Sequence, residues 1–390
     1  MATRKSFEYK VFDINYTYIT AWDDATFDSF NAVLDGGLGN LTITLARKFA
    51  DFDEGVSVKE SNIVEIWVKD QDTPATRIYS GVITAYAPLI DGRLEEVEVF
   101  CLGFLNVYAV VPYKNGTATT IVQNSVDPTN IVKDVVDRVS AEFPSDALAT
   151  RIAYNATSIP SNTGTTVSYT FNADMALEAL IRAQDLAPDG WHYYLGGDNL
   201  LQFKQTASQP KHQFIFGRDF KKIQVFKNVE NVRNSLIFWN GRDNDDGELI
   251  SKLYTDTDSI TSFGNRWEKS TDGRVKIEGT ADTLGTAFVN ANKDLDIRTT
   301  VEILDTSVDG SIGYNIESII CGDTCTFLNL PSATSKTFNY NMLVVSVDYH
   351  KSFVRLEIES KTNNTARNLA SIKRQLNNQD YGEGQPAYTT

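Results

Sequence analysis

Cysteine and histidine are both scarce in this 390-residue chain, with three of each. Three thiols cannot build the disulfide framework of a small secreted scaffold, and Cys321 and Cys325 sit too close together to close a useful loop. They read as buried thiols of a reducing compartment. His192, His212 and His350 each fall inside a strand-like run. The usual base and metal ligand near neutral pH is therefore nearly missing, and each histidine reads as a satisfied structural residue. Basic charge is also in deficit: 36 Lys and Arg stand against 51 Asp and Glu, a net charge of -15. Gripping a phosphate backbone requires Lys and Arg clustered on one face, so a nucleic-acid-binding module is excluded, while a chain that lets DNA pass by is not. No stretch approaches the roughly 18 uncharged apolar residues of a membrane helix. The start, MATRKSFEYKVF, lacks the apolar centre of a signal peptide, which predicts a soluble chain made in a cytoplasm. The Asn-x-Thr sequons at Asn15, Asn40, Asn115 and Asn155 then carry no consequence.

Catalytic signatures are missing as well. There is no G-x-S-x-G elbow, no H-E-x-x-H and no phosphate-binding Gly-rich loop of the G-x-x-x-x-G-K type. Cys321-Gly-Asp-Thr-Cys325 offers two thiolates, but structural zinc takes four ligands and no second pair exists. The acidic loop Asp243-Asn-Asp-Asp-Gly247-Glu248 invites calcium. With Gly247 as the sixth loop position, however, Arg242 falls at the first, where an oxygen ligand is required. It reads as a solvated hairpin tip. Gly36-Gly37-Leu38-Gly39 lacks dinucleotide-binding spacing and reads as a turn. Adjacent acids such as Glu95 and Glu96 are inevitable among 51 and assign nothing. The sequence thus yields no catalytic, cofactor-binding or metal-binding residue, no cofactor and no enzymatic activity. A structural or binding component is expected.

What is present is patterning. Residues 1–112 read as a β-body: FEYKVF, NLTITLARKF, IVEIWVKD, TRIYSGVITAY and RLEEVEVFCLGF alternate apolar with polar residues or are rich in β-branched and aromatic types. Asp35-Gly36-Gly37, Asp53-Glu54-Gly55 and Asp91-Gly92 punctuate them as hairpins. Residues 113–210 change period. Asp127 and Pro128 open a helix as cap and first residue, with Ile131, Val132, Val135, Val136 and Val139 on one face. TTVSYTF is a strand, Asn172 or Asp174 caps a second helix, and WHYYL and NLLQFKQ flank the turn Gly196-Gly197-Asp198. This is an α+β unit. Residues 211–362 return to strands, interrupted by one helix near Thr280–Lys293, as a second β-body. Residues 363–390 are a short helix carrying Leu369, Ile372 and Leu376, then a polar tail.

The middle segment also carries a resemblance. The strand ending Tyr169-Thr-Phe171, the helix with Ala176-Leu177 and Leu180, the pair Gly190-Trp191 and the hairpin ending Leu201-Gln-Phe203 occur in an order that resembles the tail hub proteins of tailed bacteriophages. That family includes the baseplate hub of contractile tails and the tail-associated minor tail protein of siphophages. RIYSGVITAY, VENVRNSLIFWNG and IESIICGDTCTF resemble elements of its barrel domains, so the likeness covers most of residues 1–360.

The resemblance implies a mainly β chain with two tail-tube-like β-barrel bodies flanking a small α+β domain. It implies a homotrimer whose six barrels form a pseudo-six-fold ring around the DNA exit channel. Tail tube and distal tail proteins would sit above and a tail fibre or tip protein below. The tape measure protein and DNA would pass through the lumen without specific binding, helped by a net charge that repels phosphate. The chain would bind no membrane, would reside at the virion tail tip and would be assembled in the bacterial host cytoplasm. Because it stops soon after the second β-body, wall digestion or receptor reading is expected of another protein. Two other readings remain: a hexameric distal tail protein, and a carbohydrate-binding wall-recognition module.

Overall fold

The computed structural model describes residues 5–48, 55–69, 74–91, 94–188, 190–239, 249–272, 275, 278–294, 296–306, 314–330 and 342–359. The acidic loop 243–248, the expected C-terminal helix and tail at 363–390, and turn residues Asp53, Glu54, Gly92 and Asp189 lie outside the described residues.

Seven strands occupy the first segment: β1 (Ser6–Phe12), β2 (Tyr18–Trp22), β3 (Ala25–Val33), β4 (Gly37–Leu45), β5 (Ile63–Lys69), β6 (Thr76–Asp91) and β7 (Leu94–Gly103). The second segment contains β8 (Thr120–Val126), α1 (Pro128–Glu142), β9 (Val167–Asn172), α2 (Ala176–Asp185), β10 (Trp191–Leu195) and β11 (Leu201–Gln205). The third opens with β12 (His212–Ile215), β13 (Ile223–Asn228), β14 (Ser235–Trp239), β15 (Ser251–Thr255), α3 (Thr257–Phe263) and β16 (Trp267–Thr271). It closes with α4 (Glu278–Asn292), β17 (Asp296–Leu304), β18 (Thr324–Leu328), β19 (Met342–Tyr349) and β20 (Phe353–Glu359).

The chain is mainly β. Thirteen strands form one sheet in the order β13-β17-β20-β19-β3-β4-β7-β6-β5-β1-β2, with β18 attached to β19 and β12 to β18. The path is open, and among the described residues no closed barrel forms. The first and third segments therefore do not stand apart. They meet where β3 pairs antiparallel with β19, Phe30 opposite Tyr349 and Val33 opposite Ser346. Their inner faces share one core, in which Phe30 stacks on Tyr349 at 4.8 Å and edge-on against Tyr79 at 5.2 Å. Buried tyrosines need partners for their hydroxyls. Tyr349 donates to the carbonyl of Ile319 and Tyr79 to that of Gly39, the latter at 3.0 Å. Lys5 closes a second link between the first and third segments, donating to Asp305 at 2.5 Å and Glu317 at 2.6 Å with all three side chains largely shielded.

The α+β segment has its own core. Asp127 caps α1 as its sequence demands, accepting from the amide of Thr129 at 2.9 Å, with Pro128 in the first turn. The five apolar residues of its stripe are all buried. At α2 the cap is Met175, one residue beyond the expected Asp174, and its amide donates to Glu178 at 2.9 Å. Two glycines let this unit approach the large sheet. A Cβ at Gly37, whose φ is 71°, would meet the Leu195 carbonyl at 2.7 Å. One at Gly197 would meet the Arg77 carbonyl at 2.8 Å. Only glycine fits contacts of that kind.

The third segment departs from the sequence reading. Strands β14–β16 leave the large sheet to form a three-stranded one, β15-β14-β16, against which α4 buries Leu236, Phe238, Ala281 and Val289. A second helix, α3, also appears; its Thr/Ser-rich sequence has weak helix propensity, and only the cap, Asp256 accepting from the Ser259 amide at 2.9 Å, marks it. No helix among the described residues is long and apolar enough to cross a membrane.

Trp191 tests the reading of the α+β core directly. It is 6% exposed and lies 5.2 Å from the Phe203 ring. Trp191→Ala should lower stability by about 3–5 kcal/mol in denaturant unfolding; a protein that unfolds at the parental midpoint would place the indole at the surface.

Candidate assembly surfaces

The groups that chemistry would use are committed to packing. His212 is buried on β12 between two partners: its Nε2 lies 2.8 Å from Asp323 Oδ2, and the Tyr314 hydroxyl contacts its Nδ1. Asp323 also accepts from Lys211 at 2.9 Å and from the Ile320 amide at 3.2 Å. The cluster fastens the turn at 320–323 to β12. His192 is buried on β10 against that same turn, since a Cβ at Gly322 would lie 2.4 Å from its Nε2. His350 stacks on Phe353 at 4.2 Å and faces the Asp28 carbonyl through Nδ1 at 3.1 Å.

Cys101, Cys321 and Cys325 are free and buried. Burial pushes the Cys325 thiol far up, and the nearby Asp323 carboxylate adds to the effect, so it stays protonated and inert. No group of three metal-ligating side chains occurs among the described residues. Glu95 and Glu96 are neighbours on β7, so their side chains leave opposite faces of the strand and cannot act as a pair.

The densest charge cluster was invisible in the sequence. Glu65, fully buried on β5, accepts from the Tyr16 hydroxyl at 2.5 Å, from Trp67 Nε1 at 2.9 Å and from Arg77. Arg151 of the α+β segment lies 3.6 Å over the Tyr16 ring. Burial, then the Glu65 carboxylate, raises the Tyr16 phenol. Every member faces a partner of matching chemistry, so the cluster acts as a clasp between the large sheet and the α+β unit.

His192, His212 and the three cysteines being buried, the exposed faces of the sheets are what a partner can reach. Two features stand out. Beyond Val82 strand β6 loses its ladder with β5, and β4 flanks β7 only as far as Val97, so the β6/β7 hairpin projects from the sheet past the Pro88–Val97 pair. Near its turn Leu89 and Ile90 are exposed, on opposite faces, with Glu96 and Glu95 respectively across from them. The second feature is the outer face of β15-β14-β16. Alternation along β14 sends Leu236 and Phe238 under α4 and leaves Ile237 and Trp239 on the other side, with Leu253, Trp267 and Lys269 at matching register positions. Lys269 sits 5.1 Å over the Trp239 ring.

Comparison with known proteins places this fold. No family model matches the chain, and none of the curated proteins does. Among solved structures, the 43 kDa tail protein of prophage MuSo2 from Shewanella oneidensis is 12% identical with a TM-score of 0.59, covering 90% of this chain and 98% of that one. A prophage tail protein from Listeria monocytogenes is 11% identical at 0.59, covering 95% and 99%. A tail protein from Neisseria meningitidis is 10% identical at 0.59, covering 92% and 99%. The likeness first read from the middle segment therefore holds for the fold of nearly the whole chain: it has the architecture of prophage tail proteins.

The seating of α4 on its sheet gives a pH test. Lys252 donates to Asp282 at 2.9 Å, and the Tyr254 hydroxyl does so at 2.9 Å. Lys252 first, then Tyr254, holds the Asp282 carboxyl below its ordinary value. A carboxyl depressed in the folded state stabilises above the unfolded pKa, and the contribution is lost as pH falls through the folded one. Asp282→Asn should therefore melt below the parent at pH 7, and the gap should close as pH drops below about 4. A gap that is constant from pH 7 to pH 3 would contradict the pairing.

Proposed function

We propose that this chain is a structural tail hub of a bacteriophage tail tip. Three copies form a pseudo-six-fold ring that joins the tail tube to the distal tip and encloses the DNA exit channel. The observation that carries this reading is the duplication of β-rich lobes in one subunit: β1–β7 on one side of the β3–β19 pairing, and β12, β13 and β17–β20 on the other. A subunit that fills two of six positions needs two such lobes held in fixed relation, and here one sheet and one core hold them. The shared architecture with prophage tail proteins over nearly the full length supports it.

On this reading residues 1–112 and 211–362 are the two tube-like, barrel-forming bodies and 113–210 a separate domain, with 363–390 leading towards the next tip protein. The partners are the homotrimer mates, tube and distal tail proteins above, and a fibre or tip protein below. The tape measure protein and DNA pass through the lumen. The protein is a virion component put together in the host cytoplasm, binds no membrane itself and carries out no reaction. The net charge of -15 favours a conduit that does not retain its cargo, because like charge repels phosphate.

Native mass settles the stoichiometry. Three copies of the 43.4 kDa chain should give a particle of about 130 kDa by light scattering, as a closed cyclic oligomer. A hexamer would sink the hub reading and favour a distal tail protein; a monomer at all concentrations would remove the ring.

A further inference from the structure

The two surface features described above are complementary to one another, and one subunit cannot use both on itself if they face a ring neighbour. The projecting hairpin exposes one apolar residue on each face, Leu89 (44%) on one and Ile90 (66%) on the other. The face that bears Leu89 is acidic: Glu96 lies opposite Leu89 and Glu98 opposite Ala87. The outer face of β15-β14-β16 is apolar too, with Leu253 66% and Trp267 47% exposed beside Ile237. Its one central charge is basic: Lys269, directly across from Ile237 in the ladder. In a chain carrying 15 excess negative charges, an apolar face centred on a lysine is an unusual local environment.

We infer that the β6/β7 hairpin of one copy docks on the outer β15-β14-β16 face of the next. Leu89 seats on the surface formed by Ile237, Leu253 and Trp267, and Glu96, on the same face of the hairpin as Leu89, comes within reach of Lys269. The contact is between different patches of two identical subunits, the head-to-tail kind that generates a ring when the rotation closes. Both faces pay for their exposure in water when alone, and contiguous exposed apolar surface of this kind marks interaction sites. The hairpin acts through its Leu89 face rather than by adding a strand. Pro88 sits within the stretch of β6 that β5 does not cover, and a proline cannot donate to an added partner strand. The like charges of two hairpins oppose hairpin-to-hairpin association, so the lysine-bearing face is the favourable seat.

The inference rests on the ring reading, and the test separates the two. Leu89→Cys and Leu253→Cys are combined in the full chain and treated with a short bis-maleimide; Cys101, Cys321 and Cys325 are buried and do not compete. Mass is measured in parallel. The expected result is a covalent ladder ending at three subunits from the double variant, and no ladder from either single variant. A trimer by mass that yields no cross-linked species in the double variant would overturn the contact while leaving the ring. A single variant that cross-links to itself would also overturn it, since a head-to-tail contact keeps identical residues apart. A monomer would remove both. As a second readout, Glu96→Lys and Lys269→Glu should each weaken trimer assembly by about five-fold, and the double charge swap should restore most of it. Equal loss in the double swap and the singles would contradict the pairing.

Discussion

Four ladder pairs between β3 and β19, from Val33–Ser346 to Phe30–Tyr349, join the first third of the chain to its last. Much else depends on that seam. It brings Phe30 onto Tyr349 and so merges the apolar faces of the two halves into one core. It sets the β3–β4 turn against β10, where Asp35 and Tyr193 exchange backbone and side-chain hydrogen bonds and only a glycine at 37 fits. The α+β unit is thereby located relative to both halves, and the Glu65–Arg77–Tyr16–Arg151 clasp holds it there. A long-range antiparallel pairing of this kind is costly in chain entropy to form. Once formed it is supported by the core beneath, and the Lys5–Asp305–Glu317 ion cluster adds a second link between the same two segments. Removing one partner from such a shielded cluster leaves an uncompensated charge, typically a loss of about 3–5 kcal/mol.

In the ring proposed above, that rigidity would be the functional property. Two lobes connected by a flexible linker would add independent freedom at every position of a closed assembly, and the loss of that freedom opposes association. Two lobes sharing a sheet present their outer surfaces as one body. The internal placement of His192, His212 and the three cysteines follows the same logic. Side chains elsewhere used for catalysis or metal binding here fasten turns: His212 and Asp323 hold the 320–323 turn to β12, and His192 backs it from the other side.

Much of this was legible in the sequence, and the failures have specific causes. Asp127-Pro128 and the apolar stripe behind it announce α1 because capping and helical period are both local. The hairpin of β10 and β11 is likewise written in Gly196-Gly197-Asp198. Strand β3, which makes the seam, escaped notice. Two irregularities in its pairing with β4, between Phe27 and Phe30 and between Phe30 and Ala32, put its buried aromatics three residues apart and break the alternation by which a strand is recognised. The strands β14–β16 read correctly as strands or went unread, but nothing local says that they desert the large sheet. The two charge clusters are invisible for a plainer reason. Lys5 meets partners 300 and 312 residues away, and pattern reasoning has no access to such separations. The outward function sits on surfaces, which leave the weakest trace in a single sequence. Order of motifs along the middle segment supplied what composition could not.

The central claim is that one chain contributes two rigidly joined lobes to a closed ring. End-on electron microscopy averages of the purified assembly test it most directly. The account predicts a ring with an open centre and six β-lobes of alternating kind around it, related by three-fold symmetry. Six identical subunits around the centre, or three lobes only, or a pair of lobes that varies in separation from particle to particle, would contradict it.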